Sequence, residues 1–164
     1  MGALPCDVMN STIKTVRQWE SDGFRVFASF IEDDIMRQCK ASDERFLKGK
    51  PISIFDGVPV AVKDMIAVEG HIMYNGKNPD EKFRDLWTFS KKDDILVARL
   101  RALGAIVIGT TIMTEGGVTP LGWSAQFKGP LNPYDHSRYS GGRYSTISKD
   151  RTIRLILFCT FNTC

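Results

Sequence analysis

Two short β-branched runs constrain this chain more than anything else in it. One lies at residues 58–62 (VPVAV) and the other at 105–108 (AIVI). Between them, Ile95, Leu96, Val97, Leu100 and Leu103 recur at helical spacing, with Asp93 or Asp94 placed to cap the start and Gly104 the end. A strand, a helix and a strand in that order predict a parallel pair joined by a right-handed crossover. The fold class expected is therefore α/β, with a parallel or mixed sheet flanked by helices. Some thirty residues separate Val62 from that helix. A connection of that length is commonly functional or mobile.

Upstream, the pattern is helical. Ile13, Val16 and Trp19 lie three apart, and Phe24, Phe27, Phe30, Ile31, Ile35 and Met36 recur at three- and four-residue steps. Gly23 is expected to split this zone into two helices. A third, shorter helix is expected from Ser42, a good N-cap, to the break at Gly49, Lys50 and Pro51. Downstream of Thr110 the chain is rich in Gly, Pro, Thr and Ser as far as Gly142, and beyond that lies a nearly unbroken apolar run at 153–158. Three segments result: a helical one at 1–50, an α/β one at 51–142 and a divergent tail at 143–164.

Composition excludes several classes of function. The 164 residues suffice for one domain or part of a larger one. The net charge of +3 comes from scattered basic residues, whereas a nucleic-acid binder gathers them on one face. No apolar stretch approaches the roughly 18 residues of a membrane helix. The four cysteines (Cys6, Cys39, Cys159, Cys164) form no CxxC pair, and there are only two histidines, His71 and His136. That argues against a metal site and for reduced thiols in a cytoplasmic protein. The first residues lack the basic and apolar blocks of a signal peptide.

The chemistry concentrates around Lys63, which the first run places at the carboxyl end of a buried strand, where ligands bind in open α/β sheets. Burial of a lysine favours its neutral amine, the form that can act as a base. The alternative is a strand-end lysine that reaches solvent. Lys63 and Asp64 are expected to point to opposite sides of the strand.

The segment at 57–64, GVPVAVKD, resembles the catalytic-lysine segment of the amidase signature family. Residues 93–111 resemble that family's helix–strand unit, which usually ends in GAIxxGKTN, and Glu115 falls where the family commonly has an acidic residue. Asn132, Pro133, Tyr134 and Asp135, then Ser140, Gly141 and Gly142, resemble the approach to its Gly/Ser-rich signature. Residues 41–51 fit the eukaryotic branch that resembles fatty acid amide hydrolases. The resemblance covers roughly residues 40–142 and implies the N-terminal part of an amidase-signature fold, incomplete in this chain.

The resemblance implies hydrolysis of a carboxylic amide, fatty acyl amides among them, by a serine–cis-serine–lysine triad without metal or organic cofactor. Lys63 matches the base. Gly141 and Gly142 match the turn that approaches the bridging serine, and Thr111, Met113 and Thr114 match the substrate-channel loop. The family continues with Gly-Gly-Ser-Ser, but here Arg143 stands at the bridging position. A guanidinium stays protonated and cannot relay a proton. The nucleophilic serine would fall some two dozen residues further on, past Cys164. The expectation is an amidase-like chain that retains only the lysine and is inactive as written. The alternatives are a non-catalytic binding module and an unstable broken gene product. The expected partner is a small amide substrate if the site is completed. Self-association is expected through an unpaired sheet edge and the apolar run at 153–158.

Overall fold

The computed structural model describes residues 2–23, 25–77, 79–117, 131–132, 135–139 and 156–158. The elements run in the order α1 (Pro5–Ser21), β1 (Phe27–Ser29), α2 (Glu32–Leu47), β2 (Pro59–Lys63), β3 (Ile72–Met73), a 3-10 turn (Glu81–Leu86), β4 (Thr88–Phe89), α3 (Ile95–Ala102), β5 (Ile106–Thr111), a second 3-10 turn (Glu115–Gly117), β6 (Leu131–Asn132), β7 (Asp135–Tyr139) and β8 (Ile156–Phe158). Four strands form the main sheet in the order β1-β5-β2-β8. β5 and β8 run parallel to β2, and β1 runs antiparallel to β5. The α/β expectation holds, with a mixed sheet.

The strand period divides the core into two faces. Ala61, Ile106 and Ile108 turn toward Met9, Ile13 and Val16 of α1 and Ile35 and Cys39 of α2, together with Phe27. Val60, Val62 and Val107 turn the other way, onto Val97 and Leu100 of α3 and onto Ile66 and Val68. Both helical stripes reflect sequence spacing: Met9, Ile13 and Val16 in one helix, Ile35 and Cys39 in the other. Asp94 caps α3, its carboxylate accepting from the Leu96 amide at 3.0 Å, and Gly104 comes after the helix at φ +86°.

Four expectations are corrected. Phe27 is not helical. It opens β1, because Phe27 fits the pleated surface against β5 and stacks on Phe30 with ring centroids 4.9 Å apart; Phe24 lies outside the described residues. Gly23 does end α1, at φ +84°, but it leads into a strand. Ser42 starts no helix: it is fully buried inside α2 and donates its hydroxyl to Asp56 at 2.6 Å, a tertiary bond that capping propensity does not disclose. The cysteines are not all free thiols, since Cys6 and Cys39 form a disulfide between α1 and α2. Helix packing brings two cysteines 33 residues apart together, and no sequence spacing announces that. Lastly, the edge of β2, expected to be bare, carries β8, with Ile156, Leu157 and Phe158 in register with Val60, Ala61 and Val62.

β1 reaches only the last residues of β5, so the backbone at Val107 needs another partner. Gln38 supplies it. Its side chain accepts from the Val107 amide at 2.9 Å and donates to the Val107 carbonyl at 3.0 Å, imitating a neighbouring strand. Gln38→Ala leaves both groups without that partner, each worth about 1–3 kcal/mol when buried. Because Gln38 is only half-buried and water can enter, we expect a loss of about 2 kcal/mol in urea unfolding, with faster hydrogen exchange at the Val107 amide. Unchanged exchange at Val107 would refute the role.

Candidate functional site

Lys63 closes β2 and is 8% exposed. Its backbone pairs in register with Thr111, and the next residue, Asp64, donates its amide to the Thr111 carbonyl at 3.3 Å. The chain then turns sharply: the Met65 and Ile66 amides donate to the Lys63 carbonyl at 2.8 and 2.9 Å. The strand end therefore holds the lysine backbone from both sides.

A glycine turn forms one wall. Gly117 sits at φ +67°, and a Cβ built on it would lie 3.6 Å from Lys63 Nζ and 3.0 Å from Met113 Cε. Only glycine combines that backbone with such an approach. Met113 and Thr114 are both buried, and the Thr114 hydroxyl has no hydrogen-bond partner. The loop expected to carry substrate contacts thus does come to Lys63. Thr111 has a different position: it is fully buried and its hydroxyl donates to the Val62 carbonyl at 3.4 Å. Gly141 and Gly142 lie outside the described residues, as do Ser140 and Arg143.

Sequence reasoning missed the neighbour that organises this wall. Asp64 is fully buried. Its two carboxylate oxygens accept from the Tyr74 amide at 3.1 Å and the Gly76 amide at 3.2 Å. Burial pushes its pKa up to about 6, partly offset by the backbone amides of residues 74–76. Gly76 is held at φ +74°, where a Cβ would strike the Thr114 carbonyl oxygen at 2.3 Å. From the same loop the Asn75 carbonyl accepts from the Gly116 amide at 3.1 Å. A chain of contacts therefore runs from Asp64 through residues 74–76 to the turn that faces Lys63. The signals available in the sequence were Asp64 itself, next to the lysine, and the Asn75-Gly76 turn pair.

Among the described residues no group of three or more His, Cys, Asp or Glu side chains is placed to hold a metal ion. No helix among them is long and apolar enough to cross a membrane.

A buried lysine at the carboxyl end of a parallel strand, walled by a glycine turn, falls within the stretch 15–143 that matches the Amidase family model. The chain belongs to the amidase family. It is 38% identical over 117 residues to the fatty acid amide hydrolase of Medicago truncatula, covering 71% of this chain and 19% of that protein. Against the fatty acid amide hydrolase of Oryza sativa subsp. indica it is 33% identical over 143 residues, 86% of this chain and 23% of that one. The chain thus spans about a fifth of the length of these relatives. Its fold is that of a peptide amidase solved with the competitive inhibitor chymostatin, at TM-score 0.72 and 23% identity over 86% of this chain and 29% of the other.

Proposed function

We propose that Lys63 is the general base of an amide-hydrolase site of which this chain supplies the lysine and the wall around it. The observation that carries this reading is the burial of Lys63 at the carboxyl end of β2, with the 115–117 turn closing to 3.6 Å of its amine. A desolvated amine there takes a proton from a serine hydroxyl as that serine attacks the amide carbon. The substrate class is a carboxylic amide, and the plant relatives favour a fatty acyl one. Segments 51–142 and 143–164 then divide into a part that carries this chemistry and a tail that does not. With Arg143 at the bridging position, the chain as written does not hydrolyse amides.

Two measurements test this. A fluorophosphonate probe, which labels activated serines, is expected to leave this chain unlabelled; Lys63-dependent labelling would overturn the inactivity while keeping the base. Residues 1–142 joined to the C-terminal part of the Medicago truncatula relative are expected to hydrolyse a fatty acid primary amide, and Lys63→Ala in that chimera to abolish turnover. Undiminished turnover in the Lys63→Ala chimera would overturn the assignment of Lys63.

A further inference from the structure

A cavity of about 470 Å³ lies where the first turn of α2, the loop before β3 and the last turn of α3 meet. No residue of the Lys63 wall lines it, so its role is independent of the amide-hydrolase reading. That volume is within the range of small-molecule sites. Four carboxylates line it, those of Asp33, Asp34, Glu69 and Asp93, against two guanidinium groups, Arg37 and Arg101. The excess of negative charge favours a cation.

An acidic lining alone says little, but one buried side chain faces this cavity with an unused atom. His71 is 3% exposed. Its Nδ1 lies 2.9 Å from Ser29 Oγ. Its Nε2 has no hydrogen-bond partner and sits 4.0 Å from Asp34 Oδ2, beyond hydrogen-bond reach. Buried polar atoms without partners are uncommon and costly. With the ring proton on Nδ1, donated to Ser29, Nε2 presents a lone pair. Nε2 and Asp34 Oδ2 are then two acceptors 4.0 Å apart. One nitrogen bearing several N–H groups, seated about 2.9 Å from each, satisfies both with a normal angle between its donors. Asp34 is already held by Arg37 and Gln38 and approached by Arg101 at 3.6 Å, so its carboxylate is oriented before any ligand arrives.

We propose that this cavity binds a small organic primary ammonium ion, its N–H groups shared between His71 Nε2 and Asp34, with Asp33, Glu69 and Asp93 supplying the surrounding field. A metal ion lacks the ligand set among the described residues, and an anion meets the wrong charge. A quaternary ammonium carries the charge but has no N–H to give, which separates recognition from simple attraction.

The test is a titration of the full chain with ethylammonium chloride at pH 8 and constant ionic strength, monitored through the imidazole nitrogen signals. A saturable shift at His71 is expected, with none from tetramethylammonium or propionate. Glu69→Gln, an exposed change, is expected to weaken binding several-fold. His71→Phe is expected to abolish it with the circular-dichroism spectrum retained; should that variant not fold, Glu69→Gln decides. No saturable shift with ethylammonium, an equal response to tetramethylammonium, a saturable response to propionate, or unchanged affinity in Glu69→Gln would each overturn the proposal.

Discussion

Asp56→Ala is expected to destabilise the chain by about 3–5 kcal/mol, the usual cost of removing one partner from a buried ion pair. The Asp56 side chain is fully buried. It accepts Arg45 Nε and Nη2, both at 2.7 Å, the Ser42 hydroxyl at 2.6 Å and the Ile52 amide at 2.9 Å. Gly104 also packs on it, where a Cβ would lie 2.7 Å from its Cγ. One carboxylate thus ties α2 to the loop before β2 and to the turn that leads into β5. Removing it leaves a guanidinium and a hydroxyl without their acceptor. Arg45 keeps 28% of its side chain exposed, which places the expected loss at the lower end of the range. Urea unfolding should show a lower midpoint at unchanged slope. A loss below about 1 kcal/mol would show that the network does not hold these elements.

That network separates what is legible in the sequence from what is not. The Asp56-Gly57 pair is legible as a turn, and β2, α3 and β5 are legible because their apolar periods are strong and cleanly punctuated. The role of Asp56 is not legible, because its partners lie 11 and 14 residues upstream in a helix that capping propensity would divide at Ser42. Local capping propensity and a buried tertiary hydrogen bond favour the same residue type, and only packing separates them. β1 is hidden for a related reason: aromatic residues three apart fit a helical stripe, yet a three-residue strand needs only one of them facing the core. At the site, motif and strand end locate Lys63 and the 113–114 loop. Asp64 does not stand out because a carboxylate at a strand end is ordinarily solvated, and its burial comes from a loop 10 to 12 residues further on folding back over it.

That burial makes the stability of the chain depend on pH in two opposite directions. The Asp56 carboxyl is held down at about 2, chiefly by Arg45, below the roughly 3.9 of an unfolded aspartate. Its contribution, about 2–3 kcal/mol, is present above pH ~4 and lost as the pH falls through ~2. Asp64 is raised to about 6, with burial the first cause. Between pH ~4 and ~6 the folded chain holds a proton there that the unfolded chain has released, so stability falls as pH rises across that window. From pH 4.5 to pH 7.5 the Asp64 contribution amounts to about 2 kcal/mol. Asp64→Asn keeps the shape and removes the titration. It forfeits one acceptor toward the Tyr74 and Gly76 amides at every pH, so the variant carries a constant cost. The pH-dependent part stands apart from that constant: the destabilisation caused by Asp64→Asn is expected to be about 2 kcal/mol larger at pH 4.5 than at pH 7.5. Urea unfolding of both chains at four pH values between those limits checks this, and equal differences throughout would refute the buried titration. The same ionisation reaches the proposed base. Above pH ~6 Asp64 carries a full charge, and its bonds to the Tyr74 and Gly76 amides become charge-assisted and stronger. The 74–76 loop is thereby held more tightly against residues 114–116, and with it the turn that faces Lys63, in the pH range where an amine base works.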